Sequence, residues 1–167
     1  MAGWQAERMG PGAWERVRAI RLRALADAPD AFGSTLAEAL AQPQPVWRAR
    51  LADPRAATFL VGSHAGDVGL VTGAPFEERP GAAGLFGMWV APEVRGRGVG
   101  DVLVDAVVAW ARAAGHERLS LDVADTNVAA IALYARNGFV ATGVTGSLPP
   151  PREHILEHER SLPLRPA

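Results

Sequence analysis

The chain has 167 residues, a hydrophobic fraction of 49% and a formal net charge of -1, which suits one globular domain with its own core and no basic field to draw it onto nucleic acid. It has no cysteine, and all 17 basic residues are arginine, so disulfide scaffolds, thiolate nucleophiles, Cys-ligated zinc, Schiff-base lysines and phosphate-loop lysines are excluded. No apolar run is long enough to span a bilayer and the first ten residues lack the apolar core of a signal peptide, so the expectation is a cytoplasmic protein, off the membrane, with a small-molecule or peptide partner.

After the Gly10-Pro11-Gly12 breaker, residues 14–26 set Trp14, Val17, Ile20 or Arg21, and Ala24 at helical spacing among Arg16, Arg18 and Arg23, which predicts an amphipathic helix. A second helical stretch, 34–41, begins with Ser34 as N-cap and is closed by Pro43 and Pro45; a helical turn over 46–51 follows. Residues 56–63 and 67–72 are β-type runs joined by His64-Ala65-Gly66 and predict a hairpin. Residues 75–83 read as a loop, and 85–90 as a strand with Gly87 marking a bulge or a close backbone approach. A Gly-rich turn at 95–100 opens a helix with Val99, Leu103, Ala106, Val107 and Trp110 on one side, ended by Gly115. Then come a period-two strand at 119–123, a helix capped by Asp125-Thr126-Asn127 and closed by Asn137-Gly138, and two β-type runs at 139–145 and 154–162 around the loop 146–152. The sum is a mixed α/β single domain over 1–167, with no internal repeat or linker.

The turn Arg95-Gly96-Arg97-Gly98-Val99-Gly100 carries the first chemical signal. Glycines let the backbone approach a ligand, and unpaired N–H groups at a helix start attract anions. Arg95 and Arg97 could add forked hydrogen bonds to phosphate oxygens, or be solvated loop residues, and the turn could simply reverse the chain. A dinucleotide fingerprint fits poorly, although Asp122 ends the next strand where a ribose-binding acid might fall. Asp101 stands where the third glycine belongs, residues 91–95 separate the strand from the first glycine, and only about 70 residues remain for the rest of a doubly wound sheet. His154-Ile155-Leu156-Glu157-His158 matches a short zinc-protease pattern. It needs a helix, whereas in a strand residues four apart lie about 13 Å from one another, so no metal is expected.

The run from Met88 to Gly100, with Val90-x-Pro92 followed by Arg95-x-x-Gly98-x-Gly100, resembles the signature of the GNAT superfamily of acyl-CoA N-acyltransferases. Asn127-x-x-Ala130-x-x-Leu133-Tyr134-x-x-x-Gly138-Phe139 resembles the segment that follows it, and Arg21-Leu22-Arg23-Ala24-Leu25 with Pro29-x-x-Phe32-Gly33-Ser34-Thr35 resembles the start of many small bacterial members. The resemblance covers most of residues 14–162. It implies a central, mostly antiparallel sheet of six to seven strands with a splayed parallel pair and about four flanking helices. It also implies acetyl-CoA as acyl donor, with its pantetheine arm between strands 85–90 and 119–123 and its pyrophosphate on Arg95, Gly96, Arg97, Gly98, Val99 and Gly100.

By the same resemblance the backbone of Met88, Trp89 and Val90 polarises the thioester carbonyl, Asn127 contacts the pantetheine region and Tyr134 stands beside the sulfur as the catalytic hydroxyl. Many members carry a glutamate as base on the strand before the turn, but 85–90 contains no acid. Asp122 is the candidate base and Glu38 a second one. Phe32, Glu38, Trp89 and Asp122, with Trp47, are candidates for the acceptor pocket. The activity implied is N-acetylation of a primary amine on a small molecule or peptide, by a monomer or homodimer; a non-catalytic CoA-binding or protein-interaction module on the same fold is the alternative.

Overall fold

In the computed structural model, which describes residues 3–164, a strand that periodicity does not signal, β1 (Ala6–Met9), forms one edge of the sheet. Its four residues alternate poorly, and what makes them a strand is antiparallel pairing with residues 58–61. The amphipathic helix α1 (Trp14–Asp27) follows, burying Val17, Ile20, Ala24 and Leu25. The next helix, α2 (Leu36–Ala41), is capped by Thr35 and not by Ser34. Thr35 accepts the Glu38 N–H while the Glu38 carboxylate accepts the Thr35 N–H; this reciprocal pair satisfies two donors at once and fixes the start one residue later than expected. Pro45 does not break α3 (Gln44–Ala52), because in the first helical turn a missing N–H costs nothing.

β2 (Ala57–Ser63) and β3 (Gly66–Pro75) form the expected hairpin, and β4 (Ala82–Val90) pairs antiparallel with β3. β4 begins at residue 82, within the stretch read as loop, since its first residues are held on both sides by β3 and by β5. After α4 (Val99–Ala113) come β5 (Arg118–Ala124), α5 (Val128–Arg136), β6 (Val140–Ser147) and β7 (Leu156–Pro163). The sheet order is β1-β2-β3-β4-β5-β7-β6, with β4 and β5 its one parallel pair among the described residues. This is the mixed, mostly antiparallel architecture that the motifs imply.

Alternation along β3 decides which helix covers which face. Leu70, Thr72 and Ala74 line a cavity with α1 and α3 residues, whereas Gly73 faces α4, where an added Cβ would lie 2.6 Å from the Trp110 ring. Glycine here lets α4 lie close on the sheet. Val99, Leu103, Val104 and Val107 of α4 are almost completely buried against it, each contributing on the order of 1.5–3 kcal/mol. That packing sets the height of the α4 N-terminus beside the end of β4. Among the described residues no helix is long and apolar enough to cross a membrane.

Candidate functional site

The parallel pairing of β4 with β5 lasts for three residue pairs, Ala82 with Arg118, Ala83 with Leu119 and Gly84 with Ser120, and then stops. Beyond it β5 stays paired to β7 as far as Ala124, and β4 stays paired to β3 as far as Val90. The two strands therefore separate while each is held from outside, which leaves facing edges whose backbone N–H and C=O groups need partners. A cleft of about 440 Å³ opens there, walled by residues 85–88 of β4, residues 121–124 of β5, and Phe32, Asn127, Tyr134 and Glu157. Within β4, Thr72 of β3 faces Phe86 and Leu70 faces Trp89, so Gly87 and Met88 oppose a single residue. Gly87 is at φ 63. It is the bulge that the lone glycine suggests, and it bends β4 away from β5.

At the end of β4 the turn delivers the helix start. Gly98 is the N-cap of α4 at φ 88 and no side chain caps it; Gly96 is also left-handed, at φ 76. Among the described residues the N–H groups of Gly96, Arg97, Gly98, Val99 and Gly100 have no acceptor. Five donors without acceptors, those of residues 96–98 in exposed positions, stand at the positive end of a 15-residue helix, an arrangement that attracts anions. Gly100 has a further task, because a Cβ there would sit 2.9 Å from Leu133 of α5. It lets α5 pack against α4 and brings Tyr134 toward the cradle.

The two arginines of the turn differ. Arg95 donates from Nη2 to Asp27 Oδ2 at 2.7 Å and from Nε to the Val90 carbonyl at 3.0 Å, and its own N–H is bonded to Pro92. Its charge is matched by the end of α1, so it braces the turn more than it offers itself to a ligand. Arg97 is exposed, and its carbonyl accepts the Trp4 indole N–H at 2.9 Å. Trp89 points away from the cleft, in accordance with strand alternation: it is buried, and its Nε1 donates to Asp27 Oδ2 at 3.0 Å. The Trp89 hydrogen bond, followed by those of Arg95, holds the Asp27 carboxyl below the usual carboxylate range. Trp89 is not among the residues that line the cleft.

α5 supplies two side chains to the cleft, as their spacing predicts. Asn127 is the N-cap, its Oδ1 accepting the Ala130 N–H at 3.2 Å, which leaves Nδ2 for a ligand. Tyr134 is buried with its ring edge-on to Phe139. Its hydroxyl has no hydrogen-bond partner among the described residues, and burial pushes its pKa well above the usual tyrosine value. The hydroxyl is not among the buried unpaired side-chain atoms and so opens on the cleft, where water or a ligand can bond it.

On the β5–β7 side, Asp122 faces Glu159 across the ladder, and Glu157 lies two residues further along the same face. Burial works against ionisation of Glu159, but hydrogen bonds from Arg79 at 2.8 Å and Thr142 at 2.9 Å outweigh it and keep the carboxyl low. Asp122 has no such partner. Partial desolvation of this otherwise exposed residue, then the Glu159 charge, raise its pKa, partly offset by Arg79; partial burial and Asp122 raise that of Glu157, partly offset by Arg152. Arg152 also ties the β6–β7 loop to the segment before α2, donating to the carbonyls of Pro29, Phe32 and Gly33 at 2.6 to 2.9 Å. Glu157 escapes sequence reasoning, although the alternation of Glu157 and Glu159 in a strand antiparallel to β5 carries the signal.

The model of the acetyltransferase (GNAT) family matches residues 21–139, which is more than half of the chain. The chain belongs to the GNAT acetyltransferase family. This GNAT chain is 41% identical over 59 residues to the N-acetyltransferase YobR of Bacillus subtilis strain 168, itself uncharacterized; the match spans 35% of the chain and 24% of that relative's length. In fold it is similar to a GNAT-family acetyltransferase of Streptococcus pneumoniae, with a TM-score of 0.82 at 19% identity over 97% of this chain and 99% of that one. A nourseothricin acetyltransferase aligns over 68% of each chain, with a TM-score of 0.62 and 29% identity. Of the acceptor-side candidates in the GNAT chain, Phe32 and Asp122 line the cleft, whereas Glu38 and the Trp89 side chain do not. Glu38 is exposed and engaged in its capping box. Trp47 is buried and bonded to the Gln42 carbonyl, on the wall of a second cavity. His154 precedes β7 and His158 lies in it, and no group of metal-ligating side chains is found among the described residues.

Proposed function

We propose that this GNAT chain, acting as one domain in the bacterial cytoplasm, transfers an acetyl group from acetyl-CoA to a primary amine of a small molecule or peptide, by direct attack with both held at once. The observation that carries the reading is the end of β4–β5 pairing after Gly84 and Ser120, which opens a cleft lined by Tyr134, while the unpaired N–H groups of the turn start the helix that packs at Gly100 against Leu133, the neighbour of Tyr134. The residues fit the donor. Residues 96–100 suit its pyrophosphate, the open strand edges and Asn127 suit an amide-bearing arm, and Tyr134 suits a sulfur.

When bound, acetyl-CoA supplies an acetyl group activated as a thioester. The β4 backbone at Met88, Trp89 and Val90 provides donors where negative charge develops on the acyl oxygen. Tyr134 keeps its proton on Oη and offers it as a hydrogen bond to the leaving sulfur. A tyrosine near 10 gives its proton to a thiolate near 8.5 only at a cost of about 2 kcal/mol, and burial makes that transfer harder still. Asp122, with Glu157 beside it, receives the proton that the attacking amine releases. An alkylammonium near 10.4 is deprotonated in only about one molecule in 2,500 at pH 7, so a nearby base has much to supply.

Release of free CoA thiol with a panel of amines tests the proposal; release at background with every acceptor, while acetyl-CoA still raises the Tm, would instead favour a binding module. The pH profile tests the base. A raised Asp122 pKa means that the carboxylate is lost at a higher pH than an ordinary aspartate, so kcat/KM falls as pH drops through that raised value. Asp122→Asn should flatten this acid limb and lower kcat/KM by about 10- to 100-fold at neutral pH. Stability runs the opposite way. A group with a raised folded pKa stabilises below its unfolded pKa, near 3.9, and loses that contribution as pH rises through the folded one. The variant therefore keeps or gains Tm at pH 8, and an unchanged acid limb would remove Asp122 from the mechanism.

A further inference from the structure

Arg21, on α1, is only partly accessible and lies over the Phe32 ring, with Cζ 4.7 Å from the ring centroid. Stacking uses the plane of the guanidinium and leaves its rim of N–H donors unfilled. Among the described residues no carboxylate lies within 4.0 Å of Arg21 and no oxygen accepts a hydrogen bond from it. Three other arginines around the cleft have partners: Arg79 is bonded to Glu159, Arg95 to Asp27 and Arg152 to three carbonyls, while Arg50, on the wall of the adjoining cavity, lies against the Trp47 ring. Burial and the nearby Arg50 both act against the Arg21 charge, yet a guanidinium does not shed its proton. A part-buried charge with no protein counter-charge is poorly solvated on one side, and a ligand that brings the counter-charge is favoured there.

Position makes the same point. Arg21 lines the β4–β5 cleft and also a second cavity of about 310 Å³ between α1, α3 and the sheet, and the two meet at Arg21, Phe86 and Gly87. Its Nη1 lies 3.3 Å from where a Cβ on Gly87 would be, beside the backbone assigned to the acyl oxygen. The acid on the wall of the second cavity, Asp53, is already held by Arg55 at 3.1 Å. The cleft also holds three phenylalanines, Phe32, Phe76 and Phe86, and its acids, Asp122 and Glu157, stand on the β5–β7 side, where they suit an amine.

Resting on the acetyl-transfer reading, we infer that the acceptor is a small amino carboxylic acid with an apolar side chain. Arg21 binds its carboxylate, the phenylalanines receive its side chain, and the amine, a few bonds from the carboxylate, faces the cleft between β4 and β5. Arg21 is thus a specificity residue. It selects an acid over the same amine without the carboxylate, because the neutral analogue leaves the guanidinium unpaired.

Matched pairs test the inference: phenylalanine against phenethylamine, and leucine against 3-methylbutylamine. The wild-type protein should prefer each acid by about tenfold or more in kcat/KM, the range of a charge-assisted hydrogen-bonded pair. Arg21→Gln should bring that ratio to within about threefold through the KM of the acid, with Arg21→Lys between the two. Calorimetry with N-acetylphenylalanine and N-acetylphenethylamine gives the same comparison without turnover: the acid should bind the wild type about tenfold more tightly than the neutral amide, and Arg21→Gln should abolish the difference. Because the substitution removes a part-buried charge that no protein carboxylate pairs and keeps a side chain that can lie on Phe32, its Tm should change little. Equal use of acid and amine by the wild type, or a ratio unmoved in Arg21→Gln, overturns the inference while transfer itself stands. If no acceptor releases CoA, the transfer reading fails, and the two N-acetyl ligands still decide whether Arg21 holds a carboxylate.

Discussion

Replacing Gly98 by glutamate should weaken acetyl-CoA binding about 100-fold or more in calorimetry, a loss of roughly 2.7 kcal/mol. Two effects add. Gly98 is at φ 88, where an L-residue costs on the order of 1–2 kcal/mol. In addition, a carboxylate is then set among the N–H groups of residues 96–100, where it competes with the diphosphate and repels it. Among the described residues no atom lies within 4 Å of the position a Cβ would take at Gly98, so there is no packing clash; the backbone strain lowers Tm modestly, and the carboxylate accounts for the loss of binding. Affinity within threefold of wild type would take the turn out of the donor site.

Tyr134→Phe should lower kcat by about 10- to 100-fold while leaving the acetyl-CoA Kd within about threefold. The hydroxyl has no partner among the described residues, so its removal breaks no hydrogen bond of the fold, and the ring keeps its edge-on contact with Phe139. The Tm should hold or rise. This separates the chemistry from the scaffold: a variant that is folded, binds acetyl-CoA and turns over slowly identifies a hydroxyl that acts on the leaving sulfur. An undiminished kcat would show that the buried tyrosine serves packing alone.

How much of this was legible beforehand follows from the range of the interactions. The turn, the helix it opens, and the Asn127 and Tyr134 pair are encoded at short spacing, where glycine placement and a two-turn helical offset decide the outcome, and the structure brings both side chains to one cleft. The bulge at Gly87 was likewise visible as a glycine inside a strand run. What lay beyond local reading depends on partners distant in the chain. Arg95 looks like a phosphate ligand until α1 delivers Asp27 to it across 68 residues, and Trp89 becomes a strut because the same carboxylate takes its indole N–H.

Thr35 displaced Ser34 as the cap because its spacing to Glu38 completes a capping box, a signal present in the sequence but weaker than the serine itself. Glu157 was hidden because its neighbourhood to Asp122 exists only once β7 pairs with β5. Arg21 is the extreme case. Helical spacing sets it beside Ile20 at the apolar face, but its place beside Gly87 and over the Phe32 ring depends on contacts distant in the chain.

The central claim is that one cleft, from the turn at 96–100 to the gap between β4 and β5, receives acetyl-CoA. Titrating acetyl-CoA into the 15N-labelled protein and following backbone amide shifts tests this directly. The expected result is that the largest changes fall on Gly96 to Gly100, on Met88 to Val90 and on Leu121 to Val123, saturating together with a single Kd, while the amides of β1 and β2 stay near their free positions. Shifts that leave the turn and the facing strand edges untouched, or that cluster elsewhere on the sheet, would contradict it.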